Sequence, residues 1–186
     1  ISRAKDSLID AQEYKASTVN DFRKAKIAQC YELYQSELKK SDAMDFDDII
    51  FNTVKLLKEN DEVREYYQNQ FKYVMVDEYQ DTNHAQYVLT SILADKYKNI
   101  CVVGDDDQSI YRFRGATIEN ILSFEEHYRG AKVIRLEENY RSTQNILDSA
   151  NAVISNNKNR KGKTLFTRAG AGEKVILNTA MNESDE

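Results

Sequence analysis

Two short β-branched runs that both lead into acidic residues constrain the fold of this chain more than any other feature. The runs occupy residues 72–77 (KYVMVD) and 99–104 (NICVVG), and such apolar stretches are typical of strands buried on both faces of a sheet. A strand, a helix and a second strand predict a parallel sheet in an α/β domain. The helix is indicated by apolar residues at the spacing of one helix face, namely Ala85, Val88, Leu89, Ile92 and Leu93.

The same alternation continues downstream. We expect a helix that Thr117 opens, a strand over residues 132–137 and a helix that Ser142 caps. A further strand is predicted over residues 174–179. The chain is therefore predicted to be α/β, with a partial parallel sheet and flanking helices.

Helices are predicted to precede the sheet over residues 1–70. Residues 1–40 are rich in Ala, Lys, Glu and Gln, which favour helix. Residues 46–57 carry apolar side chains on one helix face, and Asp45 with Asp48 supplies an acidic cap. A short helix is predicted to follow, ending near residue 71.

The composition limits the kind of partner. The net charge of −5 is not that of a protein that coats DNA over its whole surface, so any nucleic-acid contact must be local. No apolar run approaches the ~20 residues that a membrane span needs. Cys30 and Cys101 are far apart and form no CxxC pair, which predicts reduced, buried thiols in a cytoplasmic protein.

Acidic residues follow both predicted core strands, at residues 77–81 (DEYQD) and 104–108 (GDDDQ). In open parallel sheets, ligands bind at the carboxyl ends of the strands. So many carboxylates repel one another unless a cation or hydrogen bonds offset them, and Mg²⁺ held by one or two carboxylates and substrate phosphates is a common solution. An adjacent carboxylate can deprotonate a water molecule. Asp81 and Asp107 could instead hydrogen-bond loop amides.

A loop at residues 109–115 (SIYRFRG) interleaves two aromatic residues with two arginines. Bases can stack on Tyr111 and Phe113 while Arg112 and Arg114 meet phosphates, which is the composition of a single-strand binding surface. The alternative is that the two aromatic rings fill the core of the loop.

Three segments resemble consecutive motifs of the UvrD/Rep/PcrA-like superfamily-one DNA helicases. They are residues 76–86 (VDEYQDTNHAQ), 102–116 (VVGDDDQSIYRFRGA) and 136–142 (LEENYRS), and residues 45–50 (DFDDII) resemble a fourth signature. The resemblance extends over nearly the whole chain. It implies that residues 1–70 belong to a helical insertion, residues 71–130 to the later half of a first RecA-like ATPase domain, and residues 131–186 to the start of a second.

The resemblance also implies a role for individual residues. Asp77 would hold Mg²⁺, and Glu78 would activate the attacking water. Gln108 would sense the γ-phosphate of ATP. Tyr140 would stack on the adenine, and Arg141 would reach the γ-phosphate, a role that suits a planar guanidinium.

For the aromatic loop, the resemblance implies contact between DNA and Tyr111, Phe113, Arg112 and Arg114. The family pattern usually has Trp at the position of Phe113, and the chain has no Trp. Phenylalanine offers less stacking area, so a weaker contact with a base is expected.

The function implied is a Mg²⁺- and ATP-dependent motor that moves 3′ to 5′ on single-stranded DNA and separates duplex at single-strand/double-strand junctions, in repair or replication, with loading proteins as partners. The phosphate loop GxxxxGK[ST] is absent from the sequence. The Gly162-Lys163-Thr164 sequence does not qualify, because it lacks the first glycine and follows no predicted strand. The isolated chain is therefore expected to hydrolyse ATP negligibly.

Two other functions remain open from the sequence. One is a metal-dependent nuclease or phosphoesterase that uses Asp77, Glu78, Asp105 and Asp106 as metal ligands. The other is a non-catalytic module that binds single-stranded nucleic acid or another protein on a degenerate ATPase fold.

Overall fold

The computed structural model describes residues 1–18, 21–158 and 160–184, and the side chain of Arg114 lies outside the described part. The chain forms two compact units, Ile1–Phe124 and Glu125–Glu186. Its helices and strands, in chain order, are α1 Ser2–Asp6, α2 Ala11–Ala16, α3 Phe22–Lys40, α4 Phe46–Glu59, α5 Asp61–Gln70, β1 Val74–Val76, α6 His84–Ala94, β2 Ile100–Val102, α7 Glu119–Leu122, α8 Phe124–His127 and α9 Gln144–Ile154. Short 3₁₀ turns lie at Tyr79–Asp81, Asp106–Gln108 and Arg112–Arg114.

The two core strands are parallel, as predicted, and α6 connects them. β1 and β2 pair with Met75 opposite Cys101. Each strand is shorter than its predicted run, and the two form the sheet of the described residues. Met75 is 79% exposed and Cys101 is also exposed, so the expectation of strands buried on both faces is wrong: one face of this sheet is open.

The cysteine expectation is corrected in part by the same observation. Cys30 and Cys101 are free thiols, as expected, but both are exposed rather than buried. Cys101 points to the open face because its neighbours in β2 alternate with it and are partly covered.

The segment before the sheet is helical but not one continuous helix. Asp10 begins α2 with a capping box, and Asp21 caps α3. The predicted acidic cap of α4 is confirmed, because Asp45 and Asp48 form a reciprocal capping box. Val54 of α4 is buried and contributes to the core of the first unit. Among the described helices, none is both long and apolar enough to cross a membrane.

The second unit contains α9 and extended segments that pair little. The predicted strands at residues 132–137 and 174–179 do not form in the described part; a single parallel bridge joins Glu138 and Phe166. A strand needs a hydrogen-bonded neighbour and a covered face to be stable. In this segment the apolar face is not covered, since Ile134 is 69% exposed. The residue before α9 is Thr143, so the predicted cap by Ser142 is wrong by one position, and Thr143 makes no side-chain cap.

Candidate functional site

The carboxyl ends of β1 and β2 lie at the same edge of the sheet, because the strands are parallel. Beyond the strands, Val103 N–H donates to Val76 O at 2.8 Å and Tyr79 N–H donates to Val103 O at 2.9 Å. These two bonds hold the two acidic segments beside each other. The acidic residues that follow the two core strands, at 77–81 and 104–108, therefore lie at one edge of the sheet.

Asp77 and Glu78 are exposed at this edge and line a cleft of about 350 Å³ together with Asp81, Thr82 and the start of α6. Glu78 N–H donates to Asp77 Oδ1 at 2.9 Å. Glu78 has a left-handed backbone conformation, with φ 49° and ψ 42°. This conformation turns the chain sharply from β1 into the 3₁₀ turn and leaves both carboxylates on the cleft.

The buried amide of Gln80 joins the two acidic segments. Gln80 is 1% exposed. Its Nε2 donates to Glu78 Oε2 at 2.8 Å and, at 3.3 Å, to Asp81 Oδ2. Its Oε1 accepts from Asp105 N–H at 2.9 Å. Sequence reasoning missed this residue, although an amide among carboxylates is the side chain that can donate to one and accept elsewhere at once.

Gly104 is required by the close approach of these segments. A Cβ atom there would lie 2.6 Å from Gln80 Oε1 and 2.9 Å from Ile121 Cδ1. Both distances are shorter than side chains tolerate, so a larger residue would displace the Gln80 amide. Glycine at the end of β2 thus allows the bridge.

Gln108 is exposed and lies at the same edge as the acids. Its Nε2 donates to Asp105 Oδ2 at 2.7 Å, and its backbone N–H donates to Asp105 O at 2.9 Å. Because the backbone N–H of Asp105 is bonded to Gln80, a chain of hydrogen bonds runs from Gln108 to Glu78. Three predicted residues, Asp77, Glu78 and Gln108, are therefore brought together.

The aromatic loop presents its rings to solvent. Phe113 is 63% and Tyr111 is 39% exposed, and their ring centroids are 6.0 Å apart with planes inclined by 41°. The alternative that these rings fill a loop core is wrong. Arg112 is exposed beside them, and the side chain of Arg114 lies outside the described residues.

The aromatic loop is attached to the acidic segment through Thr82. Thr117 N–H donates to Thr82 O at 3.0 Å. The buried Asn120 donates through Nδ2 to Thr82 O and to Thr82 Oγ1, at 3.2 and 3.1 Å. At the other end of the loop, Ser109 Oγ donates to Gln80 O at 3.4 Å. The loop is thus fastened at both ends to the segment that carries Glu78.

In the second unit, Tyr140 and Arg141 lie in an exposed turn before α9. Asn139 Oδ1 accepts from Arg141 N–H at 2.9 Å and from Ser142 N–H at 2.8 Å, which fixes the turn. Tyr140 is 87% exposed. The negative charge of Glu138, and a hydrogen bond to its carboxylate, raise the pKa of the Tyr140 hydroxyl. Both side chains are accessible to a ligand.

The donor set fits one Mg²⁺ ion that a substrate also ligates. Asp77 uses Oδ1 toward Glu78 N–H and retains Oδ2 as a hard oxygen ligand of the kind Mg²⁺ prefers. Within residues 1–18, 21–158 and 160–184, no group of three or more His, Cys, Asp or Glu side chains could hold a metal. A site made of several protein ligands is therefore not present in the described part.

Comparison with known families places these features in a class of motor proteins. Residues 1–129 match the UvrD/REP helicase N-terminal domain, and residues 134–186 match the UvrD-like helicase C-terminal domain. The chain belongs to the UvrD/Rep helicase family. Over its whole length it is 52% identical to the ATP-dependent DNA helicase PcrA of Staphylococcus epidermidis and to that of Staphylococcus aureus. It spans 25% of the length of either relative.

Proposed function

We propose that the complete protein is an ATP-dependent DNA helicase that moves 3′ to 5′ on single-stranded DNA and separates duplex at junctions, in repair or replication. Family membership supports the class of protein. The observation that carries the proposal is the hydrogen-bonded connection from Glu78 through Gln80 to Asp105, with the exposed aromatic loop fastened to the same segment. Such a connection suits a machine in which nucleotide hydrolysis and DNA contact depend on each other.

Mg²⁺–ATP supplies the transferable phosphoryl group and a cation that neutralises its charge. Asp77 holds the ion through a carboxylate oxygen. Glu78 orients the attacking water and accepts its proton. Gln80, by donating to Glu78 Oε2, keeps the other oxygen of that carboxylate available to the water.

Three further residues of this chain contact the nucleotide in the complete protein. Gln108 contacts the γ-phosphate and transmits its presence through Asp105. Tyr140 stacks on the adenine, which its 87% exposure permits. Arg141 offers a planar, permanently charged group to the γ-phosphate and stabilises the charge of the transition state.

Single-stranded DNA is bound by the aromatic loop. Tyr111 and Phe113 stack on bases without reading their sequence, and Arg112 and Arg114 contact phosphates. Since this part of the protein is acidic as a whole, with net charge −5, its own contact with DNA is local and falls at this patch.

We propose the division into domains that the family resemblance implies. Residues 1–70 form part of a helical insertion, residues 71–130 the later half of a first RecA-like domain, and residues 131–186 the start of a second. The protein acts in the cytoplasm, with repair or replication proteins that load it on DNA.

The isolated 186-residue chain is proposed to hydrolyse ATP negligibly, because it has no GxxxxGK[ST] loop. Gly162, which begins the nearest match, lies in an irregular segment rather than between a strand and a helix. DNA-stimulated ATP hydrolysis by this chain alone, lost in Glu78→Gln, would contradict this proposal.

The test of the main proposal is ATP hydrolysis by the complete protein with and without single-stranded DNA. Wild type should be strongly stimulated, and Glu78→Gln should abolish turnover while keeping ATP binding. Glu62→Gln, an exposed carboxylate on α5, is the matched control and should behave as wild type.

DNA cleavage and DNA binding assays on the same protein distinguish the rival functions. DNA cleavage that needs a metal but no nucleotide would favour a nuclease, although the metal-ligand cage this requires is not found among the described residues. Salt-dependent single-strand binding without hydrolysis or nucleotide effect would favour a non-catalytic binding module.

A further inference from the structure

We propose that Asp6 is a positioning residue that couples the segment carrying the acidic pair to the aromatic loop that binds DNA, an inference that rests on the proposed function. Asp6 is the last residue of α1, a short helix far from both segments in sequence. It touches both of them.

The helix that carries Asp6 is held rigidly by its neighbour in sequence. Lys5 is 1% exposed, and its Nζ lies 2.7 Å from Asp45 Oδ2 and 2.8 Å from Asp48 Oδ1. Asp45 and Asp48 cap α4, so α1 is fixed to the amino end of that helix. A buried ion pair of this kind is costly to break, which makes α1 a firm base for the Asp6 side chain.

The first contact of Asp6 reaches the helix that follows the acidic pair. Asn83 Nδ2 donates to Asp6 Oδ1 at 2.6 Å. Asn83 also caps α6, because its Oδ1 accepts from Gln86 N–H at 2.9 Å. Asp6 therefore fixes which way the Asn83 amide faces and so supports the cap of α6.

The second contact of Asp6 reaches the end of the aromatic loop. Gly115 has φ 89°, and Asp6 Oδ2 lies 3.0 Å from where a Cβ atom of Gly115 would stand. The carboxylate therefore packs directly against this glycine. Arg3, on the same helix, donates through Nη2 to Phe113 O at 3.4 Å.

The two contacts give the loop a third point of attachment. Ser109 and Thr117 attach the ends of the loop to the acidic segment. Between these ends, Asp6 contacts Gly115 and Arg3 donates to Phe113 O. A loop attached only at its ends could change the orientation of its rings, whereas contact with α1 fixes the position of Phe113. If nucleotide binding changes the α6 cap, the Asp6 carboxylate, which contacts both Asn83 and Gly115, connects that change to the aromatic loop.

The test uses DNA-stimulated ATP hydrolysis by the complete protein. Asp6→Leu removes the acceptor for Asn83, and the DNA concentration that gives half-maximal stimulation should rise about tenfold, within the usual range for coupling between sites. Asp6→Asn keeps an oxygen acceptor and should restore the wild-type value. Burial and the nearby charge of Asp47 already raise the pKa of Asp6, so a neutral amide suits the position. Glu62→Leu controls for the loss of a surface charge.

A second pair of variants tests the same contact without an apolar substitution. Asn83→Asp keeps a good helix cap but sets two carboxylates against each other, and it should weaken the DNA response as Asp6→Leu does. The exchange Asp6→Asn with Asn83→Asp rebuilds the hydrogen bond with donor and acceptor reversed, and it should recover wild-type half-saturation.

Three results would overturn the inference. The first is an unchanged half-saturating DNA concentration in Asp6→Leu and in Asn83→Asp. The second is a loss of turnover equal with and without DNA, together with a lowered Tm, which would indicate a merely structural role. The third is an absence of DNA stimulation in the wild-type protein, which would contradict the proposed function as well. If DNA stimulates the wild type and the variants equally, only the inference about Asp6 is contradicted.

Discussion

The buried amide of Gln80 allows a quantitative test of how the acidic pair is held. Gln80→Leu is close in volume but removes the donor to Glu78 Oε2 and the acceptor for Asp105 N–H. A hydrogen bond to a charged group is worth about 1.5–3 kcal/mol, and a buried N–H without a partner costs about 1–3 kcal/mol. The variant should therefore be destabilised by roughly 3 kcal/mol.

Turnover should fall as well, by a free energy comparable with the loss of stability. A catalytic group displaced by about 1 Å can cost about 10²-fold in rate, and Glu78 without its bond to Gln80 is free to move by that much. The kcat of the complete protein for ATP with saturating single-stranded DNA should fall about 10²-fold. The KM for ATP should change little, because Gln80 is not among the residues proposed to contact the nucleotide.

Gln68→Leu is the matched control. Gln68 is 7% exposed and donates through Nε2 to Ile92 O at 2.7 Å, so its replacement also removes a hydrogen bond of a buried amide, worth about 0.5–1.5 kcal/mol, but away from the acids. It should lower Tm without lowering kcat. The reasoning would be refuted if Gln68→Leu and Gln80→Leu reduced kcat equally.

Three further predictions concern other parts of the first unit. Gly104→Ala should lower kcat as Gln80→Leu does, because the new Cβ would stand 2.6 Å from the amide oxygen; Ser36→Ala, at an exposed position of α3, is the control in the same ATPase assay. Phe113→Ala should weaken single-strand binding by about 1–3 kcal/mol and Phe113→Trp should strengthen it, measured by oligonucleotide fluorescence anisotropy; equal affinities would contradict base stacking. Burial opposes ionisation of Asp45, but hydrogen bonds, first among them that from Lys5, outweigh it and lower its pKa below 3.8. This stabilisation is present above the unfolded pKa and lost as pH falls through the folded one, so urea titrations should show an acid-side loss of stability that Asp45→Asn reduces.

Local patterns were sufficient to predict the parts of the fold that depend on neighbouring residues. The strands β1 and β2, the helix between them and the capping box of α4 follow from β-branched runs and cap residues. The strands expected at residues 132–137 and 174–179 did not form in the described part, because an extended segment needs neighbours that composition does not specify.

The candidate site was predictable to the same extent. Parallel strands bring their carboxyl ends together, so the meeting of the two acidic segments could be expected from topology. The Asp6–Asn83 contact joins residues 77 positions apart, and nothing in the local sequence of either indicates the other. Gln80 joins the two acidic segments because its side chain is buried, and the five-residue sequence DEYQD does not indicate which of its polar side chains is buried.

The left-handed backbone of Glu78 implies a trade between stability and activity at this position. For a residue other than glycine, this conformation costs about 1–2 kcal/mol, so the chain would fold more favourably with glycine here and would then lack the carboxylate that we propose as the base. β-branched residues are disfavoured more strongly, while Asn and Asp tolerate the conformation but carry shorter side chains. Few substitutions therefore suit both the backbone and the proposed role of Glu78, and the surrounding hydrogen bonds must offset the strain of this conformation.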